Sequence, residues 1–267
     1  MFEYFFRQQD DIPAGMGYPL FGAAHLLSVA VTLTLVIATV VLSRRLDNSG
    51  KRDRAIPITM LILEFIKDGV LITLGRFGIG YLPLHVCSIG VFVFLLREFV
   101  PEKNSPGTRS ETSYPGDNSK GPGLKPILGE IAVILIMPAA LAGLIFADWT
   151  ELYPVLNFFN LHSYLWHGLL ILYPLILLIR GDVQPSIRHI HWVILFLCII
   201  VPPVYIFDKF TGCNYFFVNR PVPGSPLEWL SRYLGNPGYL LGYGALTIIV
   251  ILMVYLIIHA VQNLCHG

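Results

Sequence analysis

Residues 20–43 read LFGAAHLLSVAVTLTLVIATVVLS, and His25 is the one ionisable side chain in these twenty-four residues. About 20 apolar residues are enough for a helix to cross the hydrocarbon core of a bilayer. Backbone polar groups in lipid must be satisfied within the segment, so helix is the default structure there. Six further stretches have the same character, at residues 55–74, 82–100, 127–147, 158–179, 190–207 and 239–260. The sequence therefore predicts an all-α polytopic membrane helix bundle of about seven transmembrane helices.

The composition agrees with this class. Apolar residues make up 55% of the 267-residue chain, charged residues only 13%, and the mean hydropathy is +0.66. Soluble domains carry about 25% charged residues. A net charge of +1, without a basic run interleaved with aromatics, gives no reason to expect a nucleic-acid partner. We expect a single transmembrane domain, 1–267, that is integral in the membrane and, in a bacterium, in the cytoplasmic membrane.

The distribution of basic residues predicts the orientation. Twelve Lys and Arg residues lie in the first, third and fifth loops, and five lie on the other side. The positive-inside rule then places the N-terminus out and the C-terminus in. Residues 101–125, rich in Pro, Gly, Ser and charge, are predicted to form a flexible cytoplasmic loop. The aromatic-rich outer loop, 208–237, should pack against the membrane surface or cover the bundle as a lid.

Two side chains in the outer half of the membrane point to chemistry on lipid esters. Cys87 lies roughly 7 Å below the outer end of its span and His167 roughly 14 Å, at 1.5 Å per helical residue. His85 is two residues from Cys87 and faces away from it on a regular helix, so the base should come from another helix. Asn160, Ser163 and His167 form one polar stripe, in which Ser163 or Asn160 could orient His167. The alternative role for His167 is a core histidine bonded to a backbone carbonyl.

The second predicted span has a charged stripe. Glu64, Lys67 and Asp68 share one helix face, and charges at this depth should face the bundle interior. A structural ion pair between Glu64 and Lys67 is the favoured interpretation. Asp68 could instead polarise His167 or carry a proton, and with His25 it could line a cavity that opens toward the outer leaflet.

Cys87 has two plain alternatives to a catalytic role. It could form a disulfide with Cys213, which also lies toward the oxidising outer side, or it could simply pack in the core. Metal ligation has no support from CxxC or HxxxH spacing, so we expect no metal and no cofactor.

Four motifs resemble those of a known family. They are FGAAH at 21–25, YLPLHVCS at 81–88, YLWHG at 164–168 and NYFFVN at 214–219. Together they resemble the YwaF-like integral membrane proteins. These in turn are similar to transmembrane protein 164, a eukaryotic cysteine acyltransferase of ether phospholipids, and more distantly to intramembrane threonine hydrolases of fatty acid esters.

The resemblance implies acyl transfer with Cys87 as nucleophile and His167 as base, acting on membrane phospholipid and lysophospholipid. A thioester would form on Cys87, and Asn214 or Ser88 could donate to the oxyanion. The remaining matched or neighbouring candidates for support and substrate binding are His85, His25 and Tyr215.

Three other functions compete with acyl transfer. If water attacks the thioester, the protein is a lipid ester hydrolase. Seven spans with buried charges also suit a small-solute or proton-coupled transporter, which would depend on Glu64 or Asp68 and not on Cys87. A structural partner of a larger complex would need no polar residue at all. The oligomeric state is not encoded in any motif of the chain.

Overall fold

The structure is a computed structural model that describes residues 3–45, 51–101 and 123–266. These residues form helices joined by short turns, and no strand occurs among them. The helices are α1 (Ala23–Arg45), α2 (Lys51–Thr73), α3 (Val86–Phe99), α4 (Leu124–Ile131), α5 (Met137–Ile145), α6 (Phe158–Arg180), α7 (Ile190–Thr211), α8 (Pro226–Leu234) and α9 (Tyr239–His266).

Five helical stretches of the described chain are long and apolar enough to cross a membrane. They are Ala23–Ser43, Leu124–Glu151, Phe158–Arg180, Ile187–Thr211 and Tyr239–Leu264. The predicted all-helical membrane bundle is confirmed at this level. α3 has only 14 residues and α2 carries several charges, so spanning by these two helices, and the orientation, stay predictions.

α4 and α5 form one continuous helical stretch with a wider turn between them. Residues Ala132–Ile136 adopt a π-helix, which ends two residues before Pro138. Proline has no N–H to donate, and its ring crowds the carbonyl one turn earlier. A π-helical turn relieves this crowding without breaking the helix.

α6 lies at the centre of the bundle, where glycines let its neighbours approach closely. A methyl group added at Gly168 of α6 would lie 3.1 Å from Thr32 of α1. One added at Gly90 of α3 would lie 3.1 Å from Leu170 of α6. Small residues at helix contacts are typical of membrane bundles, because association there depends on close packing.

α3 and α6 run in the same direction. Gly90 meets Leu170, and one turn further along both helices the rings of Phe94 and Tyr173 are 4.4 Å apart. We call the end of the bundle at which α1, α3, α6 and α9 begin the Cys87 end.

The end opposite the Cys87 end holds buried polar networks. The carboxylate of Glu130, 2% exposed, accepts hydrogen bonds from the Ser186 N–H at 3.0 Å and the Tyr255 hydroxyl at 2.7 Å. It also lies 2.8 Å from Nδ1 of His189. These contacts tie α4 to α9 and to the turn before α7.

Both predicted loops contain helix. α4 begins at Leu124, inside the predicted loop 101–125, of which residues 102–122 lie outside the described residues. In the predicted outer loop 208–237, α7 continues to Thr211, a 3-10 turn forms at Tyr215–Phe217, and α8 follows.

Candidate functional site

His167 is held by three contacts of different kinds. Its Nδ1–H donates to the Ser163 carbonyl at 2.7 Å. Its ring stacks on Trp149, with centroids 5.1 Å apart and planes at 17°. Its Nε2 edge rests over Gly143, where an added methyl group would lie 2.7 Å from Nε2. Because the proton of the neutral ring is fixed on Nδ1, Nε2 is left as the basic nitrogen.

A backbone carbonyl orients His167. The side chains of Ser163 and Asn160, predicted to be able to do so, bond elsewhere. The Ser163 hydroxyl donates to a carbonyl one turn earlier in α6, at 2.9 Å. Asn160 accepts from the Tyr18 hydroxyl at 2.9 Å and donates to the Val155 carbonyl at 2.8 Å. The backbone bond predicted for a core histidine is therefore present, but it occupies only one of the two ring nitrogens.

Cys87 lies in the first turn of α3 as a free thiol. Cys213 is also free, so the disulfide alternative is not present in the structure. His85, the residue before α3, provides no side-chain cap for the N–H groups of this first turn. Such N–H groups have no partner within the helix and favour a nearby negative charge.

The register of α3 and α6 brings Cys87 and His167 to the same level. The two helices are parallel and touch at Gly90 and Leu170. Cys87 and His167 each lie three residues before these contacts, about one helical turn toward the Cys87 end. No hydrogen bond joins the thiol to the imidazole within the part of the chain that the structure describes.

A cavity of about 210 Å³ is present at this end of the bundle, and neither Cys87 nor His167 is among its lining residues. It is lined by Gly80, His85, Asp148, Cys213, Asn214, Tyr215 and Phe217. Three predicted site residues, His85, Asn214 and Tyr215, thus meet in one place. Asp148, which lines the cavity, precedes Trp149, the residue that stacks on His167.

The walls of the cavity are fixed by hydrogen bonds of the NYFFVN motif. The Asn214 amide oxygen accepts from the N–H groups of Asn219 at 3.1 Å and Arg220 at 2.8 Å, and its NH₂ group donates to the Arg220 carbonyl at 3.0 Å. The Tyr215 hydroxyl donates to the Ile79 carbonyl at 2.5 Å. Burial raises the pKa of Tyr215 to about 12, which keeps this hydroxyl protonated. Asn214 and Tyr215 therefore shape the cavity.

His25 is held at both ring nitrogens. The Phe21 N–H donates to Nδ1 at 3.1 Å, and Nε2 donates to the Leu144 carbonyl at 2.9 Å. The ring is 1% exposed. His25 therefore ties the start of α1 to the end of α5, and no ring nitrogen is left to accept a proton.

The charged stripe of α2 pairs within itself. The Lys67 ammonium lies 2.7 Å from Glu64 and 3.3 Å from Asp68, so the favoured ion pair is formed and Asp68 shares it. His85 lies within electrostatic reach of both Lys67 and His167. Ser88 follows Cys87 in α3 and is partly buried.

Four residues around the site were not predicted from the sequence. Asp148, Trp149 and Gly143 belong to the end of α5 and the turn after it, and the Tyr243 phenol of α9 lies within electrostatic reach of Cys87. Their positions follow from helix packing, and nothing in the local sequence marks them. Among the described residues, no group of three His, Cys, Asp or Glu side chains is arranged to hold a metal ion.

The fold and the spans define an integral membrane protein built as a helical bundle. The chain belongs to the TMEM164 family, whose model matches residues 20–255. The match contains every candidate site residue named above. Neither a curated protein nor a solved structure matches the chain.

Proposed function

We propose that the protein transfers acyl chains between phospholipids and lysophospholipids through a thioester on Cys87, with His167 as the base. The observation that carries the proposal is the state of His167. Its Nδ1 is fixed on the Ser163 carbonyl, and its Nε2 is left as a base at the level of Cys87. Membership in the TMEM164 family supports the same assignment, because the motifs that include both residues fall in the matched region.

The first half-reaction forms the acyl-enzyme. His167 Nε2 takes the proton of the Cys87 thiol, and the thiolate attacks the ester carbonyl of a phospholipid. The ester C–O bond then breaks, His167 returns the proton to the leaving alkoxide, and a lysophospholipid departs. The thiol and imidazole have to approach when lipid binds, as catalytic hydrogen bonds often tighten only in the substrate complex.

The second half-reaction restores the thiol. The hydroxyl of another lysophospholipid gives its proton to His167 and attacks the thioester carbonyl. The C–S bond breaks, and the thiolate takes the proton back from the imidazolium. A new phospholipid is released, and the protein returns to its starting state.

The start of α3 is a better oxyanion site than Asn214. Both polar ends of the Asn214 amide are used within the 214–220 turn. The first N–H groups of α3 lack a side-chain cap, and they belong to the turn that carries Cys87 and Ser88. One oxyanion donor contributes roughly 3 kcal/mol to transition-state stabilisation in known cases.

The test is a direct search for the acyl-enzyme. Four proteins are purified in lipid nanodiscs: wild type, Cys87→Ala, His167→Gln and Cys198→Ser. Each is incubated with phospholipid that carries a deuterated acyl chain, and its intact mass is measured by mass spectrometry before and after treatment with hydroxylamine. Cys198 is exposed on α7 and serves as the matched control. We expect a hydroxylamine-sensitive adduct on wild type and Cys198→Ser only. An adduct that survives in Cys87→Ala would overturn the assignment.

Transfer, hydrolysis and transport give different further results. If the protein is a transferase, added lysophospholipid should remove the acyl group from Cys87 and yield labelled phospholipid. A hydrolase would instead release labelled free fatty acid, at the same rate with and without lysophospholipid. The Glu64–Lys67–Asp68 pairing supports a structural role for this stripe. Glu64→Gln should therefore keep the adduct, and a transporter would instead lose its activity in Glu64→Gln and retain it in Cys87→Ala.

A further inference from the structure

α8 has three distinct faces. The helix begins with a Ser225 cap, whose hydroxyl accepts the Leu227 N–H at 3.2 Å. One face packs on α9: a methyl group added at Gly242 would lie 2.9 Å from Leu230 and 3.0 Å from Leu234. Leu227, on the same face, is 7% exposed. This face therefore contacts the rest of the protein, although Leu234 at its end is 51% exposed.

The second face is aromatic and uncovered. Trp229 is 58% exposed and Tyr233 is 73% exposed, and their rings are 4.8 Å apart. The spacing of four residues places them side by side along the helix. Phe210 at the end of α7 and Leu241 in the first turn of α9 are exposed at the same end of the bundle.

The third face carries charge. Glu228 and Arg232 form an ion pair at 2.7 Å, four residues apart and away from the leucine face. The Arg232 guanidinium lowers the pKa of Glu228, so the pair stays ionised at neutral pH. An uncovered aromatic face beside a charged one is the pattern of a helix that lies in a membrane–water interface.

The contact with α9 sets the depth of α8 relative to the membrane. Gly242 belongs to the first turn of α9, which is one of the apolar membrane-spanning stretches. α8 therefore lies beside the end of a span, at the level where Trp and Tyr are enriched in membrane proteins. By contrast, Tyr215 and Phe216 earlier in the same loop are 1% and 5% exposed and pack into the bundle.

We infer that α8 lies in the head-group layer of the membrane, with Trp229 and Tyr233 inserted among the lipids and Glu228 and Arg232 toward water. The partner of this face is a lipid surface, continuous with the lipid around α9. The inference stands independently of acyl transfer, because it uses no residue of the Cys87 and His167 site.

The test measures the surroundings of Trp229 in nanodiscs. Tryptophan fluorescence of wild type, Trp229→Phe and Trp166→Phe is compared in ordinary lipid, in lipid brominated near the head group, and with aqueous iodide. Trp166 is 5% exposed and is the matched control. The fluorescence of Trp229 is the difference between the wild-type signal and that of Trp229→Phe. We expect brominated lipid to quench at least half of this difference and iodide to quench little of it.

The opposite result would overturn the inference. If iodide quenches the Trp229 signal and brominated lipid does not, the aromatic face meets water. A second variant, Tyr233→Trp, adds a reporter without removing one, so the measurement does not depend on Trp229→Phe folding. Its added signal should follow the same pattern of quenching.

Discussion

Two histidines at opposite ends of the bundle, His189 and His167, are held in different ways. Opposite the Cys87 end, His189 faces the Glu130 carboxylate at 2.8 Å in a network that joins three parts of the chain. At the Cys87 end, His167 offers a free Nε2, and Nε2 of His162 is buried without a hydrogen-bond partner among the described residues. Paired groups of the first kind hold helices together, whereas unpaired groups of the second kind are available for chemistry.

Among changes at the two ends, Glu130→Ala should have the largest effect, and it should act on the stability of the fold. The change removes the buried carboxylate that accepts from Ser186 and Tyr255 and faces His189. Breaking a buried charged network costs about 3 kcal/mol or more. We expect a clear drop in the thermal unfolding midpoint in detergent, with Glu130→Gln in between. An unchanged midpoint in Glu130→Ala would show that this end does not hold the fold.

A smaller and more selective effect should come from Gly143→Ala at the Cys87 end. The added methyl group would lie 2.7 Å from Nε2 of His167, so the imidazole has to shift. Overpacking of this kind costs about 1–3 kcal/mol. We expect formation of the Cys87 adduct to slow by at least tenfold while the protein remains folded.

The matched control for Gly143→Ala is Gly69→Ala on α2. A methyl group added at Gly69 meets nothing within 4 Å, so the same chemical change should leave both folding and adduct formation intact. Equal losses in the two variants would mean that the effect belongs to helix glycines in general and not to the position of His167.

The smallest effect should come from Asp11→Asn, outside the bundle. The Arg76 guanidinium, hydrogen-bonded to Asp11, lowers the pKa of this carboxyl below its ordinary value of 3.8. The folded pKa is below the unfolded one, so the stabilisation is present at neutral pH and disappears as the pH falls through the folded pKa. Melting curves of wild type and Asp11→Asn should differ slightly at pH 7 and coincide in strong acid. A difference that persists in acid would contradict this origin.

Seven helical stretches were predictable because each coincides with an apolar run in the sequence, and five of them are long and apolar enough to cross a membrane. α6, α7 and α9 begin at Phe158, Ile190 and Tyr239, as predicted, and the other boundaries agree to within six residues. α8 was not predicted, because its nine residues include Glu228 and Arg232 and are too few to form an apolar run of membrane length, and the helix packs on α9. The π-helical turn before Pro138 also escaped prediction, since proline alone specifies a distortion but not its form.

The candidate site was predictable only where the signal is local. The stripe that contains His167 follows from helical spacing, and His85, Asn214 and Tyr215, which the motif resemblance named, line one cavity. The Ser163 carbonyl, rather than a side chain, orients His167, and a backbone group has no sequence signature. Trp149 reaches His167 across a turn whose path depends on the packing of α5 against α6.

The parallel arrangement of α3 and α6 has a consequence for biosynthesis. Cys87 and His167 come from helices that are far apart in the chain, with α4 and α5 between them. A nascent chain that has inserted α3 carries the thiol but has no partner helix to set beside it. The proposed pair is assembled only when α6 enters the bundle and Leu170 seats against Gly90. Truncated or stalled chains would therefore expose surrounding lipids to an inert thiol.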